Sequence, residues 1–220
     1  EDGISSEKDI KAALKELKSQ GKLNGLVLDL RDNSGGFLLQ AVKVAGLFIT
    51  NGVVVVSKYS DGFMRNFRDV DGKVYYNGPL VVLTSKASAS AAEIVAQALQ
   101  DYGTAVVVGD NRTYGKGSIQ HQTVIDGQDP LFYKVTVGRY YTVSGKSTQI
   151  SGVNADISVP TLYSQVDIGE KFTDYPLPSE KIAPVFKDKL EDIEPSVRSW
   201  FKRFYLPSLQ ARVNKWHKML

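Results

Sequence analysis

Residues 86–94 read Lys86-Ala87-Ser88-Ala89-Ser90-Ala91-Ala92-Glu93-Ile94, which sets a serine at the first turn of a helical stretch. Small side chains ahead of the helix let the backbone turn sharply and let a substrate come close. A serine in that place sits beside unpaired backbone N–H groups and the positive end of the helix dipole, where a developing oxyanion is stabilised. The same position also suits a plain helix cap, and either Ser88 or Ser90 can serve as one. Taken alone, this segment reads as the cap, which is the commoner role of such a serine.

A second loop, Gly109-Asp110-Asn111-Arg112-Thr113-Tyr114-Gly115-Lys116-Gly117-Ser118, invites comparison with a phosphate-binding loop and fails it. That motif requires four residues between its first glycine and the Gly-Lys pair, with Ser or Thr directly after the lysine. Here five intervene, and Gly117 follows the lysine. What remains is Lys116 between two glycines at the edge of a core. One reading is an exposed lysine in a turn. The other is a partly buried lysine: desolvation disfavours an ammonium ion, and the free amine can then take a proton from a serine hydroxyl. A third loop carries Gly35 and Gly36. These two supply either a turn that needs positive φ or an exposed amide that completes an oxyanion hole with the amide after the serine.

Histidine offers little competition. Of the two present, His121 follows Gln120 in a strand, where neighbours face opposite ways, and His217 lies near the end of the chain, far from the three loops. With no cysteine, disulfides, thiolate metal sites and thiol nucleophiles are excluded, and no Cys/His zinc site can form.

The elements that must hold these loops follow from periodicity. An amphipathic helix is expected over 6–20, with Ser5 or Ser6 as cap and Ile10, Ala13, Leu14 and Leu17 as its apolar stripe. Short apolar runs at 25–30, 79–85 and 105–108 have the pattern of buried strands, and helical spacing returns over 37–48 and 90–102. Strands at 53–58, 63–68 and 73–76 are expected around the Asp61-Gly62 and Asp71-Gly72 turns, strands at 118–124 and 132–141 continue the sheet, and 157–159 adds one more. Strand-turn-helix units of this kind argue for an α/β core, in which ligands sit beyond the carboxyl ends of the strands. That rule singles out the loops after Leu30, Thr84 and Val108. Beyond Pro160 five prolines punctuate short helical segments expected at 181–190, 196–204 and 208–219, so the chain divides into a core, 1–162, and a helical extension, 163–220.

Composition is that of an ordinary soluble domain, with 42% hydrophobic residues and a net charge of +3 spread along the length. Such a mixed surface carries no footprint for nucleic acid. No apolar run reaches the length needed to span a bilayer, and no signal peptide is visible. The chain opens with Glu1, which is expected of a processed or excised piece.

Four stretches in this order resemble the carboxyl-terminal processing, or tail-specific, proteases: 25–36 with its strand and glycine turn, Ser88-Ala89-Ser90-Ala91-Ala92-Glu93-Ile94, Gln100-Asp101-Tyr102-Gly103 with the following Val106-Val107-Val108-Gly109, and Tyr114-Gly115-Lys116-Gly117-Ser118-Ile119-Gln120. The likeness runs from Gly25 to Pro160, and the segment from Gly169 is similar to that of the long periplasmic subgroup. The resemblance implies a mixed β-sheet core with flanking helices, of crotonase/ClpP-like ββα architecture, followed by a C-terminal helical appendage. It implies Ser90 as nucleophile, Lys116 as general base, Gln120 orienting the lysine, and the amides of Gly36 and Ala91 as oxyanion hole. No cofactor or metal is implied.

Asp101 matches an acidic position of the family and reads as a structural group closing its helix. Ala92 stands where the family commonly has serine, and the turn from Gly109 to Lys116 is one residue longer than in close relatives, a change expected to displace the lysine. Implied substrates are proteins with apolar, unstructured C-terminal tails, and the implied location is periplasmic or otherwise extracytoplasmic. A PDZ domain that helps bind such tails is expected elsewhere in the full-length protein, since no segment here resembles one. Two other readings stand beside this one: a non-catalytic peptide-binding scaffold of the same fold, and a crotonase-like acyl-CoA enzyme using Glu93 as acid/base.

Overall fold

Valine-rich runs alternate with alanine-rich helices, and the computed structural model, which describes residues 5–49, 51–125 and 131–186, shows what that alternation builds. In chain order the elements are α1 (Ser6–Ser19), β1 (Leu26–Asp29), α2 (Leu38–Gly46), β2 (Gly52–Tyr59), β3 (Met64–Asp69), β4 (Leu80–Thr84), α3 (Ala91–Asp101), β5 (Val106–Gly109), β6 (Ser118–Ile125), β7 (Leu131–Thr142) and β8 (Ile157–Ser158). They form two four-stranded sheets. The first is parallel in the order β1-β4-β5-β8, and the second is antiparallel in the order β3-β2-β7-β6. The α/β class is as expected. The strands at β6 and β7 do not continue the parallel sheet, however. They form a long hairpin whose β7 pairs with β2, from Val55 opposite Thr142 to Tyr59 opposite Gly138.

Helix α3 is the crossover that parallel neighbours β4 and β5 require, and it packs against β5 on one side and against β2 and β7 on the other. Its small apolar face allows this: Ala96, Ala98 and Leu99 are wholly buried. The core continues through Val53, Val54, Val55 and Val56 of β2 and through Leu80, Val82 and Val107 of the parallel sheet. Ser5 caps α1, accepting a hydrogen bond from the amide of Lys8, and Leu14 is the buried point of its apolar stripe.

Three expectations are corrected. Strand β1 is not buried on both faces but alternates, with Val27 59% exposed; Val106 of β5, in register on the same face, is 41% exposed, so one face of the parallel sheet is open along both strands. Residues 73–76 are not a strand. The amides of Tyr75 and Tyr76 donate instead to the carbonyl of Leu47, closing the end of α2, while the Tyr76 hydroxyl turns back to the carbonyl of Pro79. The helix expected at 181–190 is absent over its described part: Lys181 forms an isolated antiparallel bridge with Lys146, and Ile182 and Val185 donate to the carbonyls of Gly145 and Val143. Pro178 before this short stretch and Pro184 within it oppose helix and leave the neighbouring amides to the adjacent segment. Residues 161–186 hold only two 3₁₀ turns, Leu162–Gln165 and Glu170–Phe172, in a strap laid along the core. The segments 196–204 and 208–219 and His217 lie outside the described residues.

Candidate active site

The three loops beyond β1, β4 and β5 are tied together by side chains rather than by chance proximity. Ser88 is fully buried; its hydroxyl donates to the carbonyl of Leu30 at 2.7 Å and accepts from the amide of Ser85 at 2.9 Å. The Ser85 hydroxyl donates to Asp32 Oδ1 at 2.9 Å and accepts from the Asp32 amide at 3.0 Å, and the amide of Ala89 donates to the carbonyl of Asn33. Ser88 therefore staples the serine loop to the glycine turn and does not cap α3.

The residue at the cap of α3 is Ser90, with φ 55° and ψ −115°. A side chain other than glycine's rarely adopts positive φ, and such outliers cost about 1–3 kcal/mol and persist only where the surroundings dictate them. They do so here. Gly35 approaches so closely that a β-carbon on it would lie 2.8 Å from Ser90 Cβ, the Ala89 carbonyl oxygen and the Ala91 nitrogen, and Gly35 itself has φ 102°. The glycine turn thus needs its special conformation at Gly35. Gly36 lacks positive φ and faces open space.

The lysine loop is fixed from several directions. The amide of Tyr114 donates to the carbonyl of Ser88, that of Gly115 to Glu93 Oε1 at 2.7 Å, that of Lys116 to Glu93 Oε2 at 2.9 Å, and that of Gly117 to Gln149 Oε1 at 2.8 Å. The carbonyl of Lys116 accepts from the hydroxyls of Thr148, at 2.8 Å, and Tyr140. Although the turn is one residue longer than the resemblance leads one to expect, the amine of Lys116 reaches Gln120, donating to Oε1 at 3.2 Å. Gln120 sits where the pairing of β6 with β7 slips: Ile119 faces Gly138 but Gln120 faces Thr136. An extra residue in a ladder re-aims side chains at such places.

Ser90, Lys116, Gln120, Gly36 and Ala91 all line one cleft of about 420 Å³, with Phe37, Leu38, Ile94 and Ile119 as its apolar wall. A second hollow of about 400 Å³, bounded by Ser34, Tyr114, Ile168 and Glu170, shares Lys116 and Gln120, so the groove continues past the lysine on both sides. Among the described residues, the amides of Gly36 and Ala91 have no protein acceptor. Ala91 is the first residue of α3, where an amide has no partner within the helix. His121 lines neither hollow, and no group of acidic or histidine side chains among the described residues could hold a metal ion. Asp101 is buried and accepts from Gln97 Nε2 and from the amide of Ser144, holding the end of α3 against the β7 turn.

Sequence reasoning missed the role of Glu93, which appeared there only as the acid/base of the acyl-CoA alternative. Its carboxylate is buried and accepts from the amides of Ser90, Gly115 and Lys116 and from the Thr113 hydroxyl. Burial pushes this carboxyl up to about 7, against the downward pull of the Thr113 hydroxyl and the three amides. Half of the signal was readable, because Ser90-Ala91-Ala92-Glu93 has capping-box spacing. The other half comes from residues 20 to 23 positions away, which spacing cannot reveal. Tyr140 was also missed. Burial first, and the neighbouring Glu93 second, raise its hydroxyl well above the ordinary tyrosine range, so it stays a donor.

A parallel sheet and an antiparallel sheet pack about α3, with a serine and a lysine on neighbouring loops, and comparison with known proteins supplies the class. The model of peptidase family S41 matches residues 3–159, and the chain belongs to that family. A tail-specific protease of Haemophilus influenzae is 39% identical over 185 residues, which cover 81% of this chain and 26% of that protein. A carboxy-terminal-processing protease of Bartonella bacilliformis is 38% identical over 168 residues, covering 73% of this chain and 38% of the relative. Among solved structures, a photosystem II D1 C-terminal processing protease superposes with a TM-score of 0.61 at 38% identity, over 70% of this chain and 39% of that one. The chain thus spans only between 26% and 39% of the length of these relatives.

Proposed function

We propose that this chain carries the catalytic centre of a serine endopeptidase, with Ser90 as nucleophile and Lys116 as general base. The observation that carries this reading is the convergence of a strained serine, two unpaired amides and a lysine amine held by Gln120 in a single cleft. In the first step the Lys116 amine takes the Ser90 hydroxyl proton as Oγ bonds to the scissile carbonyl carbon. The carbonyl oxygen becomes an oxyanion received by the amides of Gly36 and Ala91. Collapse breaks the C–N bond, and the lysine gives its proton to the leaving amine, which departs and leaves an ester on Ser90. Water then attacks the ester, losing a proton to Lys116, and the acid product leaves as Ser90 regains its proton.

Phe37, Leu38, Ile94 and Ile119 offer an apolar wall to one substrate side chain. Among the described residues strand β6 is an edge of its sheet, and it borders the cleft, which suits an extended peptide added by main-chain hydrogen bonds. Proteins with apolar, unstructured C-terminal tails are the proposed substrates; the names of the relatives speak of tails and of carboxy-terminal processing. A PDZ domain outside these residues would gather such tails, and an extracytoplasmic compartment is the proposed setting. In the acyl-CoA alternative Glu93 would have to reach the substrate, yet it is buried and fully engaged.

The test is cleavage of an unfolded protein with an apolar C-terminus by the full-length protein, by Ser90→Ala and by Lys116→Ala at several pH values. Loss of at least about a thousandfold in both variants is expected. Cleavage that survives in Ser90→Ala contradicts the assignment, and three equally inert full-length proteins point to the scaffold reading.

A further inference from the structure

We propose that Glu93 is a positioning residue, a single carboxylate that clamps the nucleophile segment to the lysine segment so that the reacting side chains meet. This rests on the Ser90–Lys116 reading above. One oxygen, Oε2, accepts from the Ser90 amide at 2.8 Å and from the Lys116 amide at 2.9 Å. The other, Oε1, accepts from the Gly115 amide at 2.7 Å and from the Thr113 hydroxyl. The two residues proposed to react are thus bridged through one atom, although they lie 26 positions apart and on different elements.

A capping box accounts for only the first of these bonds. The other three reach out of the helix to the lysine loop, and no helix cap needs them. The clamp also bears on strain. Ser90 holds φ 55°, and a strained residue relaxes when the contacts that dictate its conformation are removed. Freed from Oε2, the Ser90 amide can turn, which displaces the Ser90 side chain within the cleft it shares with Lys116 and moves the Ala91 amide with it.

Only the ionised carboxylate accepts at both oxygens without restriction. The groups that face it are the Lys116 and Thr113 segment of the loop after β5 and the Tyr140 hydroxyl of β7, which is bonded to the carbonyl of Lys116 and lies 3.4 Å from that of Ser90. Glu170 of the strap acts on the same cluster through Tyr140. None of these supplies a second acceptor for the Ser90 amide.

Glu93→Gln is the informative variant because it keeps the size and sets an NH2 group where two amide donors now converge on an oxygen. Assayed in the full-length protein beside Ser90→Ala, it is expected to lower kcat about a hundredfold with KM within about threefold, while unfolding stays cooperative. Glu93→Asp, one methylene shorter but still an acceptor at both oxygens, is expected to recover part of kcat. Near-normal kcat in a folded Glu93→Gln overturns the clamp, as does a loss confined to KM. Should Glu93→Gln fail to fold, Glu93→Asp decides: kcat equal to the parent's contradicts the proposal, and a reduced kcat at unchanged KM upholds it. Cleavage by Ser90→Ala would instead remove the underlying reading, so the two failures are told apart.

Discussion

The site turns on side chains that serve the backbone more than the substrate. Ser90 is held in a conformation it would not choose, Lys116 is fixed by its amide and its carbonyl, and Glu93 joins both. Keeping that carboxyl raised from 4.5 to about 7 has a consequence for stability. Between those values the folded chain holds a proton that the unfolded chain has lost, so stability is greatest below about pH 4.5, falls as pH rises, and levels off above about 7. The contribution in full is on the order of 3 kcal/mol. Denaturant unfolding between pH 4.5 and 8 checks this: the slope is expected in the parent chain and is expected to shrink in Glu93→Gln. An equal slope in both contradicts it. That Ser90 and Lys116 sit in loops beyond the parallel strands was legible because each stands in a distinctive local setting, whereas Gln120 came only from the resemblance. Glu93 and Tyr140 were not legible, because their partners lie on other elements.

Elements place these residues through a few close approaches. The turn between β1 and α2 touches Ser90 through Gly35, where any β-carbon meets backbone atoms at 2.8 Å and where φ is already positive. Gly35→Ala is therefore expected to destabilise by about 1–3 kcal/mol and to cut peptide cleavage on the order of a hundredfold. Gly36→Ala, with open space around it, is expected to change stability by no more than about 0.5 kcal/mol. Thermal unfolding of the two variants checks both values, and equal losses would contradict the assignment of the tight contact to Gly35. Most elements could be read from periodicity, since β4, α3 and β5 follow the expected runs closely. The failures share a cause. Residues 73–76 had strand-like composition, yet the free carbonyl of Leu47 captured their amides. Which sheet the β6–β7 hairpin joins depends on β2, a pairing that no local pattern encodes.

At the scale of the whole molecule, two sheets enclose α3, and the strap of residues 161–186 ties the far loops down. Thr161 and Ser164 donate to Asp110, Lys86 donates to the carbonyls of Ser164 and Val166, and Glu180 pairs with Arg139. The groove stays open between the strap and the β6–β7 hairpin, with Ser90 lining one hollow and Lys116 shared by both. The central claim is that Ser90 is the nucleophile and that Lys116 activates it. It is tested most directly by treating the full-length protein with a serine-reactive phosphonate and mapping the modified peptide. The account predicts one adduct, on Ser90, formed at least about a hundredfold more slowly in Lys116→Ala. An adduct on another residue, or labelling of Ser90 at the same rate without the lysine, would contradict it.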